Sequence, residues 1–200
     1  QWQDELGNKF GLEFEILTRD MIEGSRSGSV FKEKHRLRRQ LLQFDEALLR
    51  GDSLAGLGVE RGDRVAILQV NSNECVETYF ATAMLDAVYV PMNFRVRGEE
   101  LAYMVNSSGA KVILVGSRYA EMVRECVADF DGIEHYVSLE ERDEKWHFYE
   151  DLVTLGSPGE RLPDDDDDDL TMILFTAGTT GSPKGVMLSH NSFSSYILDN

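Results

Sequence analysis

A chain of 200 residues with 42% hydrophobic, 28% charged and 10% aromatic residues has the composition of a globular protein. It is long enough to bury about 70% of its unfolded surface without a metal or disulfide. Its 20 Lys and Arg face 36 Asp and Glu, a formal charge of −16, which sets the mean field against nucleic acid and anionic membrane. No run approaches 18 apolar residues, so a membrane-spanning helix is excluded, and no secretory signal pattern is visible.

The charge is unevenly spread. Residues 1–50 hold nine basic and nine acidic side chains; residues 51–200 hold eleven against twenty-seven. Within the first section Trp2, Leu6 and Phe10 share one face of a short predicted helix, and Leu12 to Ile16 alternates as a strand does. After the loop at residues 23–29 a helix is predicted to Arg50, with Leu37, Leu41, Phe44 and Leu48 on its apolar stripe. Its basic residues Lys32, Lys34, Arg36, Arg38 and Arg39 read as a solvated face.

From Leu57 strands and helices alternate. Strands are expected at 64–68, 88–90, 111–115, 135–138 and 171–176, and helices at 73–86, 98–107, 118–129 and 145–154. Helix 73–86 is expected to turn Val76, Tyr79, Phe80, Ala83 and Met84 to one side, and Gly109 to cap helix 98–107. The continuous apolar run at 111–115 suits a strand covered on both faces. Repeated βα units predict an α/β fold with a parallel sheet. Cys75 and Cys126 make neither a ligand cluster nor a disulfide framework and read as reduced core residues of a cytoplasmic protein.

One segment carries chemistry: Thr176-Ala177-Gly178-Thr179-Thr180-Gly181-Ser182-Pro183-Lys184-Gly185, directly after a predicted buried strand. Parallel sheets place ligand loops at such strand ends. Gly178, Gly181 and Gly185 let the backbone turn and expose N–H groups; Thr176, Thr179, Thr180 and Ser182 add hydroxyl donors; Lys184 adds a mobile charge. Many donors and one cation in a small volume suit a polyphosphate. A Walker A loop is excluded, because Pro183 stands where its second glycine belongs and Gly185 where its metal-binding hydroxyl belongs. Val186-Met187-Leu188 then reads as a strand rather than a helix start.

The stretch from Phe175 to His190 resembles the signature of AMP-forming acyl-CoA synthetases, within the adenylate-forming superfamily that also includes luciferases. Leu57 to Leu68 is similar to that family's first strand and its turn, and Val88 to Asn93 to its next strand, so the resemblance covers about residues 45–200. It implies an N-terminal portion of the large domain of an adenylate-forming enzyme. The implied chemistry has two steps: a carboxylate, fatty or another organic acid, attacks ATP to give acyl-AMP and pyrophosphate, and CoA then displaces AMP. The resemblance assigns ATP phosphate binding, with Mg2+ bridging, to Thr176, Gly178, Thr179, Thr180, Gly181, Ser182 and Lys184, and a place near the acyl pocket to His190. The family's adenine-contacting stretch, ribose-binding aspartate and adenylation lysine have no counterpart in these 200 residues, so this chain alone is expected not to turn over.

Residues 1–30, beginning Gln1-Trp2-Gln3-Asp4-Glu5-Leu6, are similar to a segment of Swi2/Snf2-type helicase-like ATPases. With the charge split, this divides the chain at about residue 50 into an N-terminal segment of separate origin, 1–50, and a synthetase part, 51–200, with an acidic loop at 156–169. Gly51-Asp52-Ser53 reads as an insertion into the helix before the first turn. Two further readings are weighed: a non-catalytic polyphosphate-binding or interaction fragment, and a helicase-related nucleic-acid protein, which the charge disfavours. Asp164 to Asp169 reads as a solvated linker rather than a hard-cation site. His35, His135 and His147 match no ligand spacing, and Trp146, Phe148 and Tyr149 read as core. Arg61-Gly62-Asp63 is a turn before a strand, not an adhesion motif.

Overall fold

The computed structural model describes residues 45–152, 169–176 and 182–192. In chain order these form α1 Asp45–Gly56, β1 Arg64–Leu68, α2 Asn73–Met84, β2 Val88–Pro91, α3 Gly98–Ser108 and β3 Ala110–Val115. There follow α4 Ala120–Cys126, β4 His135–Ser138, β5 His147–Phe148, α5 Tyr149–Leu152, β6 Leu170–Thr176 and β7 Lys184–Ser189. The strands make one sheet in the order β5-β4-β3-β1-β2-β6-β7, parallel throughout except for β7, which runs antiparallel to β6. This is the α/β parallel sheet that the alternation predicts.

The apolar runs of β1 and β3 follow from burial on both faces. Val65, Ala66, Ile67 and Leu68 are each at most 1% exposed. Val65 and Ile67 pack with Val112, Leu114, Leu54 and Leu57 of α1 and its exit, Ala81 of α2, and Tyr149 and Leu152 of α5. Ala66 and Leu68 point the other way, to Ile113, Val115, Leu101, Met104 and Val105 of α3 and Val123 of α4. Strand pleating thus divides one hydrophobic run between two cores. Each fully buried Leu or Ile contributes about 1.5–3 kcal/mol of transfer free energy.

Helix α3 ends as its sequence predicts. Gly109 adopts the left-handed conformation, φ 64°, and its N–H donates to the Val105 and Asn106 carbonyls. A Cβ at that position would stand 2.6 Å from Arg64 Nη2, whose Nε donates to Ser108 O at 3.1 Å.

Several local expectations are corrected. Helix α2 buries Thr78, Ala81 and Thr82. Val76, Tyr79, Phe80, Ala83 and Met84 are only half-buried, because the small Thr78, Ala81 and Thr82 allow the helix to lie close on the sheet. Residues 147–148 are strand rather than helix: Val137 pairs with His147 and Ser138 with Phe148, and the helix is only Tyr149–Leu152. Gly51, Asp52 and Ser53 lie within the continuous helix α1. There the buried Ser53 hydroxyl donates to Leu152 O at 2.7 Å. The predicted helix at 118–129 is α-helical only over α4, with 3-10 turns at Ser117–Tyr119 and Val127–Asp129. Tyr149 is buried, whereas Trp146 and Phe148 are half-buried beneath the guanidinium groups of Arg124 and Arg142. Cys75 is half-buried and Cys126 buried, both as free thiols. The expected elements of residues 1–44 lie outside the described residues, as does most of the aspartate run.

Candidate functional site

Parallel strands put their carboxyl ends on one edge of the sheet, and ligands enter where the chain leaves neighbouring strands in opposite directions. The order of this sheet creates two such places. From β1 the chain runs to β2 and from β3 to β4, so the paths part between β1 and β3. From β2 the chain crosses back to β3, while from β6 it turns outward into β7, so they part again between β2 and β6.

The first crevice is filled by the protein itself. Gln69, 6% exposed, accepts the Val70 N–H through Oε1 at 2.9 Å and donates from Nε2 to Glu140 Oε1 at 2.7 Å. Glu140 Oε2 accepts the Ser117 N–H at 2.5 Å. Gly116 completes the plug, since a Cβ there would lie 2.5 Å from Gln69 Oε1. Partial burial pushes the Glu140 carboxyl up, but the Ser117 and Gln69 hydrogen bonds and the charge of Arg118 outweigh it and hold the group below its ordinary value. Nothing in the sequence signals this network, because its members are 71 and 23 residues apart.

The second crevice lies beside the glycine-rich segment. Strands β6 and β7 pair antiparallel, their last registered pair being Thr176 with Lys184, so residues 177–183 connect the strands at the carboxyl end of β6. Thr176, Ser182 and Lys184 are exposed there, and the Thr176 hydroxyl donates to Lys184 O at 3.4 Å. Gly178, Thr179, Thr180 and Gly181 lie outside the described residues. On the adjacent strand, Asn93 Oδ1 accepts the Arg95 N–H at 2.9 Å in the turn after β2. That turn exposes Phe94 and Arg95, with the guanidinium 5.2 Å from the ring centre. Neither residue belongs to a spacing pattern that sequence reasoning reads.

His190 and the aspartate run stand elsewhere. Because β7 returns antiparallel, Ser189 pairs with Leu170 and the His190 N–H donates to Asp169 O at 3.2 Å, at the amino end of β6. A strand of this length spans roughly 20 Å, about two Debye lengths at physiological salt. The last carboxylate of the run is therefore screened from the loop, and Arg61 grips its Oδ2 at 2.6 Å. Asp169 therefore does not oppose an anion bound at the loop. Groups of three or more His, Cys, Asp or Glu able to hold a metal are absent among the described residues.

A seven-stranded α/β sheet whose β6 leads at its carboxyl end into a glycine- and threonine-rich segment is the setting in which the comparisons with known proteins fall. The AMP-binding enzyme family model matches residues 44–199, and the chain belongs to that family. It is 35% identical over 150 residues to the long-chain-fatty-acid–CoA ligase FadD13 of Mycobacterium tuberculosis, a match covering 70% of this chain and 27% of that protein. To the crotonobetaine/carnitine–CoA ligase of Salmonella typhimurium it is 30% identical over 151 residues, 67% of this chain and 27% of the other. Among solved structures, the anthranilate CoA ligase AuaEII in complex with anthranoyl-AMP superposes with a TM-score of 0.69 at 27% identity, covering 72% of this chain and 28% of that one. A long-chain-fatty-acid-CoA ligase from Archaeoglobus fulgidus superposes at 0.70 and 26% identity, over 78% and 31%.

The chain thus spans about 27% of the length of the curated relatives it matches. The Swi2/Snf2 resemblance of residues 1–30 gains no support from these comparisons, since the family match begins at residue 44. The helicase-related and non-catalytic readings gain none either. No helix among the described residues is long and apolar enough to cross a membrane.

Proposed function

We propose that this chain carries the polyphosphate-binding part of an AMP-forming ligase that activates a carboxylic acid with ATP and passes the acyl group to CoA. The observation that carries the reading is the pairing of Thr176 with Lys184 at the carboxyl end of β6, beside the point where the paths from β2 and β6 part, in a chain of the AMP-binding enzyme family. Hydroxyl and backbone donors there, with the Lys184 ammonium, would hold the β- and γ-phosphates and stabilise the departing pyrophosphate. Thr176, Gly178, Thr179, Thr180, Gly181, Ser182 and Lys184 take that role, and Mg2+ would supply further positive charge to offset that of the phosphates. His190 is assigned to the acyl pocket; its place at the far end of β7 separates that role from phosphate binding.

Relatives named for long-chain fatty acid, crotonobetaine/carnitine and anthranilate ligases favour an organic acid and leave its chain length open. A cytoplasmic setting goes with the two free thiols. The division into residues 1–50 and a synthetase part 51–200 belongs to the same proposal, its boundary falling within α1.

ATP–pyrophosphate exchange with a panel of carboxylic acids tests the reaction in a polypeptide that carries this chain together with the family's adenine, ribose and lysine elements. Carboxylate-dependent exchange is expected, and exchange indifferent to every acid would sink the ligase reading. For the 200-residue chain alone, calorimetry with pyrophosphate is expected to show binding without turnover.

A further inference from the structure

We propose that His135 and His147 form a cross-strand site for one divalent transition-metal ion of the Zn2+, Ni2+ or Cu2+ type at the β4–β5 edge of the sheet. The two residues are twelve apart in sequence and fit no ligand spacing; pairing of the strands brings them together. Val137 is registered with His147, and His135 lies two residues before Val137, so both imidazoles project from one face as diagonal neighbours. His135 Nδ1 stands 3.3 Å from His147 Nε2, and the ring centres are 5.3 Å apart.

Those distances suit a shared ion. Two nitrogens each about 2.0–2.1 Å from one tetrahedral metal are about 3.3 Å apart, and their ring centres roughly 5 Å. His135 is half-buried and His147 exposed, so an ion can enter from solvent. Since no third His, Cys, Asp or Glu completes a group among the described residues, water takes the remaining positions. Imidazole donors favour Zn2+, Ni2+ and Cu2+ over Mg2+ and Ca2+, which prefer oxygen. The site is therefore distinct from the Mg2+ of the proposed ATP reaction and does not depend on that reading.

An ion here would clamp an edge. Strand β5 is two residues long and outermost in the sheet, and it leads directly into α5, whose Tyr149 and Leu152 sit in the core. Holding β5 on β4 holds that corner closed.

The test is calorimetry and thermal unfolding of the full 200-residue chain, stripped of metal, with ZnCl2 and NiCl2 and with MgCl2 as control. One equivalent of Zn2+ is expected to bind and to raise the midpoint by roughly 2–4 °C. His135→Gln and His147→Gln should each weaken it about tenfold or more, and Mg2+ should not compete. Absence of Zn2+ binding to the parent chain overturns the proposal and leaves the pair as an N–H···N hydrogen bond. Binding that survives both substitutions also overturns it, assigning the ion elsewhere, for instance to the acidic run. Should either variant fail to fold, imidazole NMR of the parent chain decides. Zn2+ must then move the His135 and His147 resonances together and leave those of His35 and His190 in place; any other pattern refutes the site.

Discussion

At the residue scale, the features with the clearest consequences are one exposed cation and one buried hydroxyl. Lys184 sits exposed where β7 begins, so removing its charge should affect a bound polyphosphate without disturbing the core. Lys184→Ala is expected to weaken pyrophosphate binding about 10- to 100-fold, the usual range for a lost charge-assisted hydrogen bond, with an unchanged urea midpoint. Thr180→Val should weaken it by less, about 3- to 10-fold, through loss of a neutral hydroxyl. Unaltered calorimetric affinity in both variants would refute the phosphate assignment. Thr78 presents the opposite case. It is 1% exposed, and its hydroxyl is the buried side-chain polar atom without a hydrogen-bond partner among the described residues. Thr78→Val keeps the shape and removes the orphaned group, so chemical denaturation should show a gain of roughly 1 kcal/mol.

At the scale of elements, the joints between strands and helices govern stability. Gly109 closes α3 with positive φ, and a side chain there would be strained and would displace the Arg64 guanidinium. Gly109→Ala is expected to cost about 1–2 kcal/mol in denaturant melts, shared between the left-handed backbone and lost Arg64 contacts. The Gln69–Glu140–Ser117 plug titrates. Desolvation opposes ionisation of Glu140, the hydrogen bonds from Ser117 and Gln69 overcome it, and the folded-state value lies below the ordinary 4.5. A carboxylate so depressed stabilises the fold fully above its unfolded value and loses that contribution as pH falls through its folded one. The parent chain should therefore lose more urea stability than Glu140→Gln between pH 5.5 and 3.5. Because the side chain is exposed, the difference should stay under about 1 kcal/mol. A steeper loss in the variant would refute this account.

At the scale of the whole molecule, the hydrophobic pattern announces the α/β sheet because burial on both faces leaves a continuous apolar run at Val65 to Leu68 and Val112 to Val115. The phosphate loop is legible for a related reason: its glycines, hydroxyls and lysine are contiguous, so composition, spacing and family resemblance coincide in one stretch of chain. The signal weakens where structure depends on partners distant in sequence. His147-Phe148 has the local pattern of a helix and becomes a strand only because β4 offers it an edge. Small residues of α2 face the sheet because the packing distance, not the helical period, selects them. By itself, then, the sequence determined the order of βα units, the turn glycines and the chemical character of the loop, all of which arise from interactions along the chain. Only the tertiary structure decided that one strand-end crevice is plugged, that His190 stands a strand's length from Lys184, and that His135 and His147, which fit no ligand spacing, meet. Those outcomes rest on strand order and register, which are fixed by side chains that become neighbours only when the sheet forms.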